Sequence, residues 1–144
     1  MVGRRSERGQ ALLAWAAVLL FFVVLPLTAL IADGARLFFV RNRLQTALDA
    51  ACQDGAWSAA DRVHFRETGT ATFLPAGEVV SIARSTFYTV LVELGSAHYN
   101  ASITVQPNYD QLRVACNGQA QVPLLILDRT VSIEAVTASS IRFR

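Results

Sequence analysis

Only two cysteines and two histidines occur among the 144 residues, and their scarcity removes several kinds of chemistry at once. Cys52 and Cys116 form no CxxC pair, so neither a redox motif nor a zinc knuckle is indicated. His64 and His98 stand apart, without the repeated His, Cys, Asp and Glu spacing of a metal cage. Asp61 lies three residues before His64 and meets it if that segment is helical, but no serine sits on a nucleophile elbow. A phosphate loop and a paired-glycine fingerprint are also missing. The sequence therefore indicates no enzyme, no metal, no cofactor and no small-molecule substrate.

Charge is sparse as well, at 17% of residues. The 13 basic residues, all arginine, against 11 acidic ones leave a net charge of +2. After residue 43 the arginines are dispersed, which is not the footprint of a nucleic-acid-binding face. What fills the space is apolar: 53% of the chain, concentrated in ALLAWAAVLLFFVVLPLTALIA, Ala11 to Ala32, without one charge. As a helix this run spans roughly 33 Å, enough to cross a hydrocarbon core of about 30 Å. It is long for a signal-peptide core. Arg4, Arg5 and Arg8 precede it as they would a secretory signal, but Ala29-Leu-Ile-Ala32 offers no small-x-small cleavage pattern.

Arginines flank the run on both sides, Arg4, Arg5 and Arg8 before it and Arg36, Arg41 and Arg43 after it, so charge bias alone does not orient it. The ten-residue tail is easily left in the cytoplasm, and the bulk of the chain holds both cysteines; the C-terminal part is accordingly expected outside. Pro26, inside the run, removes one helical hydrogen bond and calls for a kink or a local unwinding. Trp15 is placed to anchor at an interface and Trp57 to cover the base of the stalk or the domain.

Beyond the run the apolar residues become periodic. Leu37, Val40, Leu44, Ala47, Leu48 and Ala51 recur at helical spacing, so the helix is expected to continue as an amphipathic stalk ending between Gly55 and Val63. Val63 to Phe73 reads as a connector. A second helix is expected from Pro75 to Gly95, with Val79, Val80, Ile82, Ala83, Phe87, Val90, Leu91 and Leu94 on one side. The period then changes to two: Ala101, Ile103 and Val105; Leu112, Val114 and Cys116; Val131, Ile133, Ala135 and Thr137 leading to Ile141 and Phe143. These are three strands, with turns at Pro107 to Asp110 and Pro123 to Arg129, and with Asn117-Gly118 as a hairpin turn or a bulge. The fold class is α+β: a long N-terminal transmembrane helix continuing as a stalk, then a helix packed on a small antiparallel sheet of about three strands. The expected divisions are 1–10 as a basic tail or short leader, 11–32 across the membrane, 33–62 as stalk and 63–144 as an extracytoplasmic domain.

The two cysteines allow one intramolecular pairing, Cys52 with Cys116, if the sheet folds back to the helix base; the alternative is two small buried hydrophobes, and spacing does not decide between them. Asn100-Ala101-Ser102 matches the N-x-S glycosylation pattern, a tripeptide that arises often by chance.

Taken in order, Arg8-Gly-Gln-Ala-Leu12, the apolar run, Asp33-Gly-Ala-Arg-Leu-Phe38 and Arg43-Leu-Gln-Thr-Ala-Leu-Asp-Ala-Ala51 resemble the N-terminal module of TadE/TadG-like proteins of tight-adherence (Tad, or Flp) pilus systems. The resemblance implies a non-enzymatic structural or assembly component of a type IV-like pilus, pilin-like or a minor pilin. It further implies single-pass insertion in a bacterial inner membrane with a cytoplasmic N-terminus, and the extracellular filament as a destination. Its partners would be the membrane and other pilus subunits or copies of itself, met through Ala11, Leu12, Leu13, Trp15, Leu19, Phe22, Pro26, Leu30, Leu37, Val40 and Leu44. By the prepilin pattern, cleavage would fall between Gly9 and Gln10, where the fifth mature residue is Ala14 rather than the usual glutamate. The uncleaved TadG-like pattern accommodates Ala14 more easily. The alternative is a membrane-anchored binding or adhesion module outside the filament, and an anchored enzyme has no substrate to name.

Overall fold

A computed structural model describes the backbone of residues 4–124 and 128–141, and side chains from residue 11 onward. It is a mixed α+β chain in which one helical rod leads into a helix-and-sheet body. The rod comprises α1 (Arg4–Leu19), a wide π turn (Leu20–Val24) and α2 (Leu25–Trp57), without a break in the helical path. The π turn is the answer to Pro26. Proline has no N–H to offer the preceding turn and its ring crowds the carbonyl four residues back. One extra residue in the turn relieves that crowding, and the Leu25 N–H bonds back five residues to the Leu20 carbonyl.

Past the apolar run, α2 is the central element of the body rather than a bystander to it. Val40, Leu44, Ala47, Leu48, Ala51, Cys52 and Ala56 on its inner face are all buried. The alternation of leucine with alanine on that face suits two neighbours at once, α4 (Ala76–Glu93) on one side and the sheet on the other. Burying side chains the size of Leu44 and Leu48 contributes about 1.5–3 kcal/mol each, so this face is a large share of what holds the body together. The opposing face of α4 is Val79, Ala83, Phe87 and Leu91, four residues apart and all within the apolar set expected of it. Pro75 stands just outside its first turn, as proline's fixed φ favours.

The sheet is antiparallel in the order β1 (Ser102–Asn108), β2 (Arg113–Pro123), β3 (Thr130–Ser140). Ile103 and Val105 of β1 and Val114, Cys116, Ala120 and Val122 of β2 point inward, while the intervening polar residues face out. β2 is antiparallel to α2 and β3 runs with it: Val131 to Ile133 lie near Leu37 and Phe38, whereas Ile141 reaches Trp57.

Three expectations are corrected. The connector from Val63 to Phe73 contains a short helix, α3 (Arg62–Thr68). The Asp61 side chain caps it by accepting from the His64 N–H at 2.9 Å, and Gly69, in the left-handed region at φ 72°, stops it. Asn117-Gly118 forms neither turn nor bulge but lies mid-strand in β2, opposite Thr104 and Ile103. Gly118 is there for space: a Cβ would stand 3.0 Å from Leu48 Cδ1 and 3.5 Å from Leu44 Cδ1. Pro107, expected to open the first turn, is still in β1, paired opposite Val114. β3 ends at Ser140 with Ile141 just beyond it, and Phe143 lies outside the described residues.

Gly55 interrupts nothing; it is the point where α2 and α4 touch, and an added Cβ would be 3.0 Å from Ala83 Cβ. A Gly55→Leu variant should therefore wedge the helices apart and lose about 1–3 kcal/mol of stability. Gly77→Ala, with nothing within 4 Å of the new Cβ, should match or slightly exceed the parent. Thermal unfolding followed by circular dichroism in detergent distinguishes them, and equal midpoints for parent and Gly55→Leu would contradict the close approach.

Candidate membrane and assembly helix

The rod has two halves with opposite surroundings. From Ala11 to Ala32 the chain's own body covers almost nothing: Leu12, Leu13, Trp15, Leu19, Phe22 and Leu30 are all open, with Trp15 at 74% and Phe22 at 77% exposure. Ala11 and Pro26 are exposed with them. In water such a surface is untenable, because each buried aliphatic or aromatic side chain is worth about 1.5–3 kcal/mol relative to exposure. The helix is long and apolar enough to cross a membrane, and the surface it presents is uniform around the rod.

The remaining residues of the expected packing set belong to the other half. Val40 and Leu44 are 4% and 1% exposed, inside the body's core, and Leu37 packs against that core. They seat the body on the helix and are not open to a neighbouring subunit. Gly9 and Gln10 lie on the α1 backbone, and their side chains are outside the described residues.

Where the rod leaves its apolar run, basic and aromatic side chains gather. Arg36 is placed over the Tyr99 ring at 5.9 Å, and Arg43 over the Phe39 ring at 5.0 Å. The Arg43 Nη1 also donates to Ser96 Oγ at 3.4 Å, tying the helix to the segment after α4. Tyr99 is supplied by a single 3-10 turn, Ala97–Tyr99, so the groove between Arg36, Phe39, Val40 and Arg43 is closed by a residue 56 positions beyond Arg43. In the sequence these arginines stand as flanking charge and as members of the motifs that carry the resemblance, without a partner. The spacing of Arg36, Phe39 and Arg43 over two helical turns was the available signal; the partner Tyr99 was not visible without the fold.

Higher on the rod Cys52 and Cys116 form a disulfide, with their Cα atoms 5.9 Å apart, within the range such bonds require. It joins α2 to the middle strand. A polar clasp acts on the other side of α2, where Thr86 of α4 donates to Asp54 Oδ2 at 2.5 Å and Ser58 donates to Asp54 Oδ1. Trp57 covers less than expected: it is 52% exposed beside Phe65 and Ile141 at the end far from the apolar run. At that same end Tyr109 donates to the Leu74 carbonyl at 3.0 Å and meets Phe73 edge-on, so the segment between α3 and α4 is pinned to the β1–β2 turn. His64 serves α3 locally, its ring Nε2 lying 3.2 Å from Thr70 Oγ1.

Comparison with known proteins touches the rod. Residues 9–62 match the family described as putative Flp pilus-assembly TadE/G-like. That stretch holds the apolar run, the basic and aromatic exit, Cys52 and the last turn of α2. No curated protein and no solved structure matches the chain.

The disulfide closes a loop of 64 residues, for which restriction of the unfolded chain corresponds to about 4 kcal/mol. Reduction, or a Cys52→Ala/Cys116→Ala variant, should lower the stability of the body by that order while leaving the membrane-bound fraction unchanged. Chemical denaturation with and without reductant checks this, and coincident curves would contradict a stabilising bond.

Proposed function

From the match of residues 9–62 to the TadE/G-like family, we propose that the protein is a structural or assembly subunit of a Tad-type pilus, inserted in the inner membrane through residues 11–32 with its N-terminus in the cytoplasm. The observation that carries this reading is the combination of a bare apolar rod with a body built around the same helix. Lipid covers the rod before assembly. In a filament, neighbouring rods replace the lipid, and the apolar surface stays out of water in both settings. The bodies then form the outer surface.

On this reading the chain's work is structural, with no catalytic step in it. Recognition between subunits is distributed over the exposed residues Ala11, Leu12, Leu13, Trp15, Leu19, Phe22 and Leu30, with Pro26 setting the local shape of the rod. The body contributes rigidity, through the helix face, the disulfide and the Asp54 clasp. With Ala14 in place of an acidic side chain, a rod buried among its neighbours carries no charge between Ala11 and Ala32, so its packing rests on shape and apolar contact.

Three measurements test the reading. Sheared filaments from the native host should contain the protein, and N-terminal sequencing should give Gln10 for a processed pilin. A chain retaining Met1, confined to the inner membrane, in cells whose filaments are normal without it, would exclude a filament role and leave an anchored binding module. A Leu19→Arg/Phe22→Arg variant places two charges near the helix centre, each costing about 2.5–3.5 kcal/mol on insertion scales. It should lose its alkaline-resistant membrane fraction while its body remains disulfide-bonded. Unchanged membrane retention would argue against residues 11–32 as the spanning segment.

A further inference from the structure

We propose that Arg36 and Arg43, with Phe38, Phe39 and Tyr99, form a collar that binds the phosphates of anionic phospholipids in the outer headgroup layer and seats the body directly on the bilayer. The inference rests on the membrane-spanning reading of residues 11–32 and adds to it a ligand class and the residues that take it.

Length sets the level of the collar. From Ala11 to Phe39 the rod measures about 43 Å at the helical rise, which matches the roughly 40–45 Å of a bilayer with its headgroups. Beyond Ala32, where the uncharged run ends, Arg36 lies about 6 Å and Phe38 about 9 Å farther along the axis, near the depth of the headgroups, while Trp15 stands near the opposite end of the run, as interfacial aromatic residues do. Phe38 and Phe39 are 65% and 62% exposed although they adjoin a well-packed body. In water that exposure is a cost; at the lipid interface it is a contact.

Charge and side-chain direction fit the same depth. Side chains on a helix lean toward its N-terminus, which on α2 is the bilayer side, so Arg36 and Arg43 reach back toward the headgroups. Their guanidinium groups are held by the Tyr99 and Phe39 rings and, for Arg43, by Ser96 Oγ. A restrained planar fork loses less freedom on taking a phosphate. Arginines beside the translocated end of a spanning helix also run against the usual distribution of positive charge, and phosphates at that level supply the compensating anion. Acidic neighbours are present at this level: Asp33 is buried on the rod, and Glu134 shares a groove with Arg41 while accepting from Gln119 Nε2 at 2.9 Å. Arg41 is for that reason left out of the collar.

The test uses the full chain in phosphatidylcholine vesicles doped with phosphatidylglycerol. Spin-labelled forms of each lipid report its association with the protein relative to the other. The parent should select phosphatidylglycerol, and high salt should weaken that selection. R36Q/R43Q should reduce it, by about five-fold for each arginine lost, while R36K/R43K retains most of it. Arg4, Arg5 and Arg8 at the opposite end are common to all three proteins, so the difference between them isolates the collar. Flotation with the vesicles separates the two readings. Protein that floats but selects equally well as parent and as R36Q/R43Q overturns the collar alone; protein that fails to float overturns both the collar and the spanning segment. Circular dichroism and the intact disulfide confirm that the variants are folded.

Discussion

One constraint organises the molecule: the helix that is bare of protein from Ala11 to Ala32 is continuous with the helix that is buried from Val40 to Ala56. A flexible joint between anchor and body would let each find its own surroundings. A helical rod does not, because its two halves share an axis and a fixed rotation. The sheet and α4 are therefore arranged around a line that the apolar run has already drawn. In that sense the core is a sleeve on the anchor, with β2 antiparallel to the helix, β3 running with it and α4 closing the remaining side.

The sleeve is fastened at three heights. Near the apolar run, Arg43 reaches Ser96; midway, Cys52 is bonded to Cys116; farther out, Asp54 takes hydroxyl donors from Thr86 and Ser58. These contacts differ in kind and in what weakens them. The disulfide depends on redox conditions, while the arginine and carboxylate contacts depend on hydrogen-bond geometry. The apolar face that they flank, with Leu44 and Leu48 under Gly118, supplies most of the cohesion.

Much of this was legible in the residues. Period and length gave the rod, the second helix and three strands, because each has an apolar face whose repeat survives in sequence. The resemblance carried by Arg8 to Leu12 and Arg43 to Ala51 agrees with the family match over residues 9–62. Other features had no such repeat. The seven-residue α3 is too short to show one, and its evidence lay in Asp61 and Gly69, a cap and a stop around a segment rich in turn formers. Asn117-Gly118 has the composition of a hairpin turn, and only the presence of Leu48 above it explains a glycine in the middle of a strand. The continuation of the rod was legible as amphipathic, but which elements wrap it was not, since periodicity identifies a buried face without naming its partner. The same holds for Arg36 and Tyr99, which are brought together across 63 residues by the path of α4.

The wide turn at Leu20–Val24 sets the phase of the whole rod. Successive residues of an α-helix are offset by about 100° around the axis, so accommodating one additional residue in a turn shifts everything beyond it by that angle relative to everything before. The direction in which the sheet faces, viewed down the rod from its apolar end, is thus decided by the local response to Pro26, some 14 residues before the first buried core side chain at Val40. If rods pack side by side, that single turn determines the azimuth at which each body is displayed, and with it which face of the sheet looks outward and which looks toward the next copy.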